Sequence, residues 1–283
     1  MIPVELMAIF FGLASAVSWG AGDFTGGCAS RRTNVYSVVL VTQIVGVVLF
    51  PILAFVFSEN LPPLSKLLWG CLAGFFGTSG LLALYQGLVE GKMGIVAPVA
   101  AMISAIVPVI YSAFYEGFPE ILRIAGFIFA FIAVWLIVSM DNGPKVKIND
   151  LKYPFLAGMG FGLFFISIDN FSETAIFWPL AFARGTALLM FVGFVILTGS
   201  VKVKPPSIDV LPVIVLAGLF NTGGGTFFTL ASEAGRLDIT TILSSLSPGI
   251  TVLLAYFILK EKLAPRQWLG VISALFAIIL MSI

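Results

Sequence analysis

Long apolar runs recur along the whole 283-residue chain and limit what it can fold into. A bilayer core is about 30 Å thick, and a helix needs roughly 20 predominantly apolar residues to cross it. Charged residues, prolines and glycine clusters interrupt the runs at that kind of interval. The breaks predict ten membrane-spanning helices, at residues 4–24, 34–57, 64–89, 92–115, 120–140, 152–173, 175–199, 208–233, 238–259 and 263–283. The expected fold class is an all-α integral membrane protein.

The composition agrees with a lipid environment and excludes several classes of function. Hydrophobic residues make up 59% of the chain and charged residues only 10%, whereas soluble domains carry about 25% charge. Histidine is absent, which excludes histidine metal sites and His-dependent triads. The net charge of +1 argues against a nucleic-acid partner. Cys28 and Cys71 form no CxxC pair, and we expect no metal and no cofactor.

A polar segment, DNGPKVKINDLK at 141–152, separates two halves of five predicted helices each. We expect a first repeat at 1–140 and a second at 152–283. Several residues recur in the same order in both halves, at a shift of 144 positions or, for the last pair, 146: Thr78 and Thr222, Gly80 and Gly224, Gly126 and Gly270, Asp23 and Asp169. Because five is odd, the second repeat would enter from the opposite face. Inverted repeats are typical of secondary transporters, whose substrate sites lie near the midplane.

Basic residues are unevenly distributed between the predicted loops. With a cytoplasmic N-terminus, the cytoplasmic loops would hold only Lys66, Arg123 and Arg236, and the external loops would hold nearly all other Lys and Arg residues. Positive charges in short loops favour the cytoplasmic side. Both termini are therefore expected on the same face of the membrane, outside the cytoplasm.

Three stretches resemble a known transporter family: SWGAGDF at 18–24, SLSPGITVLLAYFILKEKL at 245–263 and PRQWLGVI at 265–272. They are similar to the EamA-type members of the drug/metabolite transporter superfamily. The resemblance implies ten helices in two inverted EamA-like repeats, around a central cavity lined by spans 1, 3, 4, 6, 8 and 9. It also implies transport of amino acids, sugars or other small metabolites.

Hydroxyl residues and a proline interrupt the apolar character of the ninth predicted span. At helical spacing, one face of that span carries Thr240, Thr241, Ser244, Ser247, Pro248 and Thr251. Pro248 has no N–H, so the carbonyl of Ser244 needs a hydroxyl or water as partner. The face is either the wall of a wet cavity or a packed contact, since small and hydroxyl residues also join membrane helices. We expect Ser244, Ser247 and Pro248 to contact substrate.

Other polar or aromatic residues within the spans are candidates for substrate binding, because polar groups in a membrane are costly and commonly functional. Asn221 and Thr222 lie at the glycine run of span eight. Tyr85 and Gln86 lie near the end of span three. Trp19 is either an interfacial anchor or part of a cavity wall.

Three charged residues within the spans are candidates for gating or coupling: Asp23, Asp169 and Arg184. Arg184 lies too deep in span seven to snorkel, so it is expected to pair with Asp169 or Glu173 or to face water. Asp23 and Asp169 occupy equivalent places in the two repeats. Inversion would therefore put them at opposite mouths of one pathway.

An intramembrane aspartyl protease is the enzymatic alternative, because GAGDF at 20–24 fits a GxGD signature and Asp169 would supply the second carboxylate. Inversion argues against this alternative, since it places Asp23 and Asp169 toward opposite faces. A passive channel would need a continuous polar lining, whereas the sequence shows polar stripes.

The favoured function is a secondary transporter in the cell membrane that works by alternating access. Export of an amino acid or related compound is the leading expectation, and sugar or nucleoside uptake is the alternative. The expected partners are a small-molecule substrate and the lipid bilayer, with a proton or sodium ion for coupling. A monomer or a homodimer is expected.

Overall fold

The computed structural model describes residues 4–90, 93–138, 151–198, 205–260 and 264–281. These residues form eleven helices and no strand. The helices are α1 (Val4–Ser30), α2 (Val35–Val56), α3 (Leu64–Glu90), α4 (Met93–Tyr115), α5 (Ile121–Val138), α6 (Lys152–Ser172), α7 (Phe177–Thr198), α8 (Leu211–Ala234), α9 (Leu237–Ser244), α10 (Ser247–Leu259) and α11 (Pro265–Met281). Each predicted span corresponds to one of these helices, except the ninth, which corresponds to α9 and α10 together.

Seven segments of the described chain are long and apolar enough to cross a membrane: Leu6–Ser30, Val35–Val56, Leu64–Leu84, Lys152–Ser172, Phe177–Thr198, Leu211–Ala234 and Leu237–Leu259. Three shorter apolar helices accompany them, at Val99–Tyr115, Ile121–Leu136 and Pro265–Leu280. Large apolar side chains point outward, with Leu189 and Leu197 74% and 88% exposed. A continuous apolar surface of this kind suits lipid rather than water.

Short turns join most helices, so the chain crosses back and forth. We call the face at which α1 begins and α6 and α8 end the terminal face, and the face at which α1 ends and α6 begins the linker face. Hydrogen bonds fix the relative direction of α1 and α8. Ser15 Oγ donates to the carbonyl of Gly224 at 2.9 Å, and Ser18 Oγ donates to that of Phe220 at 2.8 Å. The two helices therefore lie antiparallel.

Glycines allow the closest helix crossings, as expected for membrane helices. A Cβ added at Gly160 of α6 would lie 2.7 Å from the Cα of Gly80 of α3. Gly70 and Gly74 of α3 lie directly against the backbone of Pro179 and Ala183 in α7. These contacts fix α3 against both α6 and α7.

An apolar cluster fills the terminal-face half between α1, α5 and α9. It includes Ile9, Phe127, Ile242 and Leu243. Leu246, in the turn between α9 and α10, is 6% exposed and belongs to the same cluster. Leu246 is thus a core residue.

Candidate functional site

A cavity of about 770 Å³ lies between the helices, and its lining residues lie mostly in the linker-face parts of α1 to α4 and of α10. Side chains from α1, α2, α3, α4 and α6 to α10 line it. The family resemblance implies spans 1, 3, 4, 6, 8 and 9, and the structure adds α2 and α7. Asp23, near the linker-face end of α1, is exposed. The cavity therefore reaches from the middle of the bundle toward the linker face.

Most of the predicted site residues line this cavity: Trp19, Asp23, Arg184, Asn221, Ser244, Ser247 and Pro248. Thr222 is 2% exposed and is not part of the lining, because its hydroxyl donates to the carbonyl of Gly218 at 2.8 Å. Gln86 is exposed and also lies outside the lining. The structure therefore does not bring Thr222 or Gln86 into the lining of this cavity. The side chain of Tyr85 lies outside the described residues.

The ninth span is broken where it meets the cavity. α9 ends at Ser244, and α10 begins at Ser247 with Pro248 in its first turn. Proline lacks the N–H that would bond to the carbonyl of Ser244, and its ring clashes with that carbonyl in a continuous helix. The first turn of a helix tolerates proline because its N–H groups have no helical partner there. The single ninth helix expected from the sequence is therefore two helices, with polar backbone beside the cavity.

The hydroxyl residues of this span fall into two groups. Some are packed between helices, and others line the cavity. Thr240 and Thr241 are fully buried in α9, and their hydroxyls have no hydrogen-bond partner among the described residues. Ser244 is 1% exposed, and its Oγ lies 3.5 Å from the carbonyl oxygen of Gly12. It lies at the inner end of the cavity. Ser247 is half-buried at the start of α10 and lines the cavity. Both interpretations of the stripe apply, each to a different part.

Trp19 belongs to an aromatic wall rather than to a membrane interface. Its ring packs against three phenylalanine rings. The distances between ring centroids are 6.4 Å to Phe164, 5.8 Å to Phe165 and 5.7 Å to Phe228. The indole lies directly against Gly224 of α8, where any side chain would collide with it. The interfacial-anchor interpretation is therefore wrong, and the ring is fixed by its neighbours.

The Arg184 guanidinium is held by two amide side chains. Nη1 donates to Oε1 of Gln43 at 3.0 Å, and Nη2 donates to Oδ1 of Asn221 at 2.5 Å and to its carbonyl at 3.2 Å. Among the described residues, no carboxylate forms an ion pair with it. The expected pairing with Asp169 or Glu173 is wrong, because those residues lie at the terminal-face end of α6. The expectation of a watery environment fits its place in the cavity wall.

Asp23 lines the same cavity as Arg184. The preceding residue, Gly22, lies directly on α8, where an added Cβ would be 3.3 Å from the backbone nitrogen of Asn221. Because Asn221 also holds Arg184, the two charged residues flank one helix crossing. A carboxylate and a guanidinium therefore face the same chamber.

Asp169 lies in a second cavity, of about 600 Å³, on the terminal face. It accepts a hydrogen bond from Ser232 Oγ at 2.5 Å, at the end of α8. The end of α8 lies beside the start of α1, where a Cβ at Gly235 would be 2.5 Å from that of Ala8. Asp23 lies roughly 20 Å from Ala8 along the axis of α1, at a rise of about 1.5 Å per residue. The two aspartates cannot form a catalytic dyad, so the protease alternative is wrong.

Arg236 connects the α8–α9 turn to the α4–α5 turn on the terminal face. Its guanidinium donates to the carbonyls of Glu116 at 3.0 Å and Gly117 at 2.7 Å. It also donates to the buried carboxylate of Asp238 at 2.9 Å, and its Nε lies 3.7 Å from the Glu116 carboxylate. We call these four residues the terminal-face network. It joins the two halves of the chain.

Two further contacts join the halves on the same face. The Glu59 carboxylate accepts hydrogen bonds, at 2.8 to 3.0 Å, from three backbone N–H groups at the start of α7. Negative charge is favourable at a helix N-terminus. Lys66 Nζ donates to the carbonyl of Asn170 at 2.6 Å, near the end of α6, where positive charge is favourable.

Burial and hydrogen bonding shift two pKa values in the network. Partial burial raises the pKa of the Glu116 carboxyl above its ordinary value. Hydrogen bonding to Asp238 raises the pKa of the Arg236 guanidinium, so this cation stays charged. A raised pKa for Glu116 means that this closed arrangement binds a proton more tightly than a solvated carboxyl does.

Sequence reasoning missed Gln43 and the terminal-face network. Gln43 is the only amide in α2, and this isolation in an apolar helix is a signal that could have identified it. Glu116 is expected from its place at a helix end to be a solvated residue. Glu116 is exposed in the turn after α4, in agreement with that expectation, and its carboxylate also contacts Arg236 of the other half.

Comparisons with known proteins place the chain in a family. The model of the EamA-like transporter family matches residues 6–139 and 153–283. A solved structure, described only as "Crystal structure of protein", is similar with a TM-score of 0.78 and 14% sequence identity, covering 96% of this chain and 95% of the other. At that identity the likeness shows the fold alone. No curated protein matches the chain.

Proposed function

The chain belongs to the EamA-like transporter family of the drug/metabolite transporter superfamily, and we propose that it is a secondary transporter that works by alternating access. Proteins of this family are multi-pass membrane transporters rather than enzymes. The observation that carries the proposal is the 770 Å³ cavity, since small-molecule sites measure about 300–1,000 Å³. It lies where the broken ninth span, a half-buried arginine and an aromatic wall meet.

The proposed architecture is ten transmembrane helices in two inverted five-helix repeats, with α9 and α10 forming one broken span. The helix contacts support it, because α1 packs along α8 and α6 packs along α3. In the proposed repeats α1 is equivalent to α6, and α3 is equivalent to α8. Exchanging the two repeats therefore converts the pair of α1 and α8 into the pair of α6 and α3. The two segments that the family model matches lie within the proposed repeats at 1–140 and 152–283.

In the proposed cycle, this structure would represent a state that is open toward the linker face. The cavity extends to that side, whereas the terminal-face network and the buried helix α9 occlude the other side. In alternating access, substrate binds in this state and leaves after the terminal-face contacts separate. The linker-face loops carry most of the basic residues, which supports a cytoplasmic linker face in the cell membrane.

The proposed cargo is an amino acid or a related compound, moved outward. The pair of opposite charges that faces the cavity, Asp23 and Arg184, supports an amino-acid cargo. A cavity that faces the cytoplasm supports export, because cytoplasmic substrate reaches it directly. The coupling ion is a proton or sodium.

Flux into proteoliposomes tests this proposal. Purified protein would be supplied with separate labelled pools of L-amino acids, sugars and nucleosides, with and without a pH or a sodium gradient. Saturable, gradient-dependent flux of the amino-acid pool is the expected result. Flux of only sugars or nucleosides would support the uptake alternative, and no flux in any pool from folded protein would contradict a transporter.

A further inference from the structure

We infer that Arg184, held in place by Gln43 and Asn221, is the residue that selects substrates bearing a carboxylate. This inference rests on the proposed transport function and concerns the specificity of the same cavity. It starts from the charge of the site. A cation within a membrane segment is costly and is normally balanced by an anion or by water.

The arginine is held but not neutralised. Its three hydrogen bonds go to neutral oxygens, one on Gln43 and two on Asn221. A guanidinium has five N–H donors, so donors and the full positive charge remain for a ligand. The two amide side chains orient the planar group, so that a carboxylate can accept a charged hydrogen bond from a remaining N–H.

The surrounding helices are shaped for this side chain. Gly46 lies one turn beyond Gln43 on α2, and a Cβ there would lie 2.9 Å from Cγ of Arg184 and 3.2 Å from Nε. Any other residue at position 46 would displace the guanidinium. The combination of Gly46, Gln43 and Asn221 therefore forms a built cradle around the cation.

Asp23 provides the opposite charge in the same chamber. It has no hydrogen bond or ion pair among the described residues, and it is exposed. Its neighbour Gly22 lies against Asn221, on the crossing that also holds Arg184. The substrate class is therefore a zwitterion, with its carboxylate on Arg184 and its ammonium group toward Asp23.

The test compares matched ligands that differ in one charge. The probes are L-phenylalanine, L-leucine, L-threonine and L-lysine, and the primary amides of the same four, titrated against protein in nanodiscs. Thermal stabilisation gives the concentration for half-maximal effect. For wild-type protein we expect at least one acid to be bound about 10- to 100-fold more tightly than its amide, the value of a charged hydrogen bond.

Two substitutions distinguish an effect on the selection of carboxylates from an effect on the stability of the protein. Arg184→Gln should reduce the preference for the acid to nearly one. Gln43→Glu should supply an internal carboxylate that pairs with Arg184, so the protein stays as stable as wild type while acids bind about 10- to 100-fold more weakly. Arg32→Gln, in the exposed turn after α1, is the control for loss of one charge. It should change neither the preference for acid over amide nor the stability of the protein.

The outcomes are distinct. A purely structural role for Arg184 predicts that Gln43→Glu binds acids as wild type does, and that result would overturn the inference. Equal binding of acids and amides by wild type, or no response to any acid, would overturn it as well. Flux of neutral sugars or nucleosides without acid binding would overturn the carboxylate site and leave a transporter. Absence of all flux would instead contradict the proposed function.

Discussion

At the scale of residues, the cavity wall combines groups that lipid would not tolerate. Ser247 is half-buried at the start of α10, beside Pro248 and facing the cavity. Ser244 is nearly fully buried, so a larger residue there would disturb packing against α1 as well as the cavity. Ser247 is therefore the position at which binding can be altered with the least effect on folding.

Ser247→Leu should lower flux at least about tenfold while leaving the melting temperature within a few degrees of wild type. The added side chain fills cavity volume at a half-buried position and therefore needs little repacking. Proteoliposome flux and thermal melting in nanodiscs measure the two effects. The matched control, Phe257→Leu, changes a lipid-facing residue of the same helix that is 61% exposed. Equal losses of flux and stability in Ser247→Leu and the control would contradict a role in the cavity.

At the scale of elements, the sequence predicted what depends on hydrophobic length and missed what depends on contacts between distant segments. The seven long apolar helices and the three shorter ones all fall within apolar runs of the sequence, because lipid demands continuous helices. The break after Ser244 was not predicted, since proline alone does not determine whether a helix tilts or ends. The partners of Arg184 were unpredictable because Gln43 lies 141 residues away in the sequence. Helix packing alone brings them together.

Pro248→Ala tests the break as a hinge. Alanine restores an N–H that can donate to the carbonyl of Ser244, so α9 and α10 should join more readily into one helix. We expect slower flux with an unchanged or higher melting temperature, because a continuous helix resists the change of state. Hydrogen exchange across 244–248 should slow in parallel. Wild-type flux in this variant would remove the hinge from the mechanism.

In the proposed mechanism, the terminal-face network holds the terminal face closed. Arg236→Gln together with Asp238→Asn removes both charges without leaving a buried carboxylate unpaired, which would itself be costly. A loss of about 1.4 kcal/mol from the closed state would raise the open population about tenfold. We expect faster labelling of Ser232→Cys by a thiol reagent from the terminal face. Arg32→Gln, on the linker face, is the control, and unchanged labelling in the double variant would contradict the gate.

At the scale of the whole molecule, two cavities lie toward opposite faces. The terminal-face network and the buried helix α9 close the central cavity on the terminal side. Asp23 lines the central cavity, and Asp169 lines the cavity on the terminal face. Their equivalent positions in α1 and α6 were visible in the sequence as a repeat. Their separation is what the proposed inversion of the second repeat predicts, and in the proposed mechanism the two similar segments would serve opposite ends of one pathway.

Cysteine labelling tests the inverted architecture directly. In a background with Cys28 and Cys71 replaced by alanine, Asp23→Cys and Asp169→Cys would be made separately and exposed to an impermeant thiol reagent. Position 23 should react from the linker face only, because the cavity that it lines reaches that face and α9 blocks the other. Position 169 should react from the terminal face only, and faster when Arg236→Gln and Asp238→Asn loosen the network. Intact cells and inverted vesicles distinguish the faces, and they also establish which of them is cytoplasmic. Reaction of both positions from the same side, in protein that remains folded, would refute the inverted repeats and with them this form of alternating access.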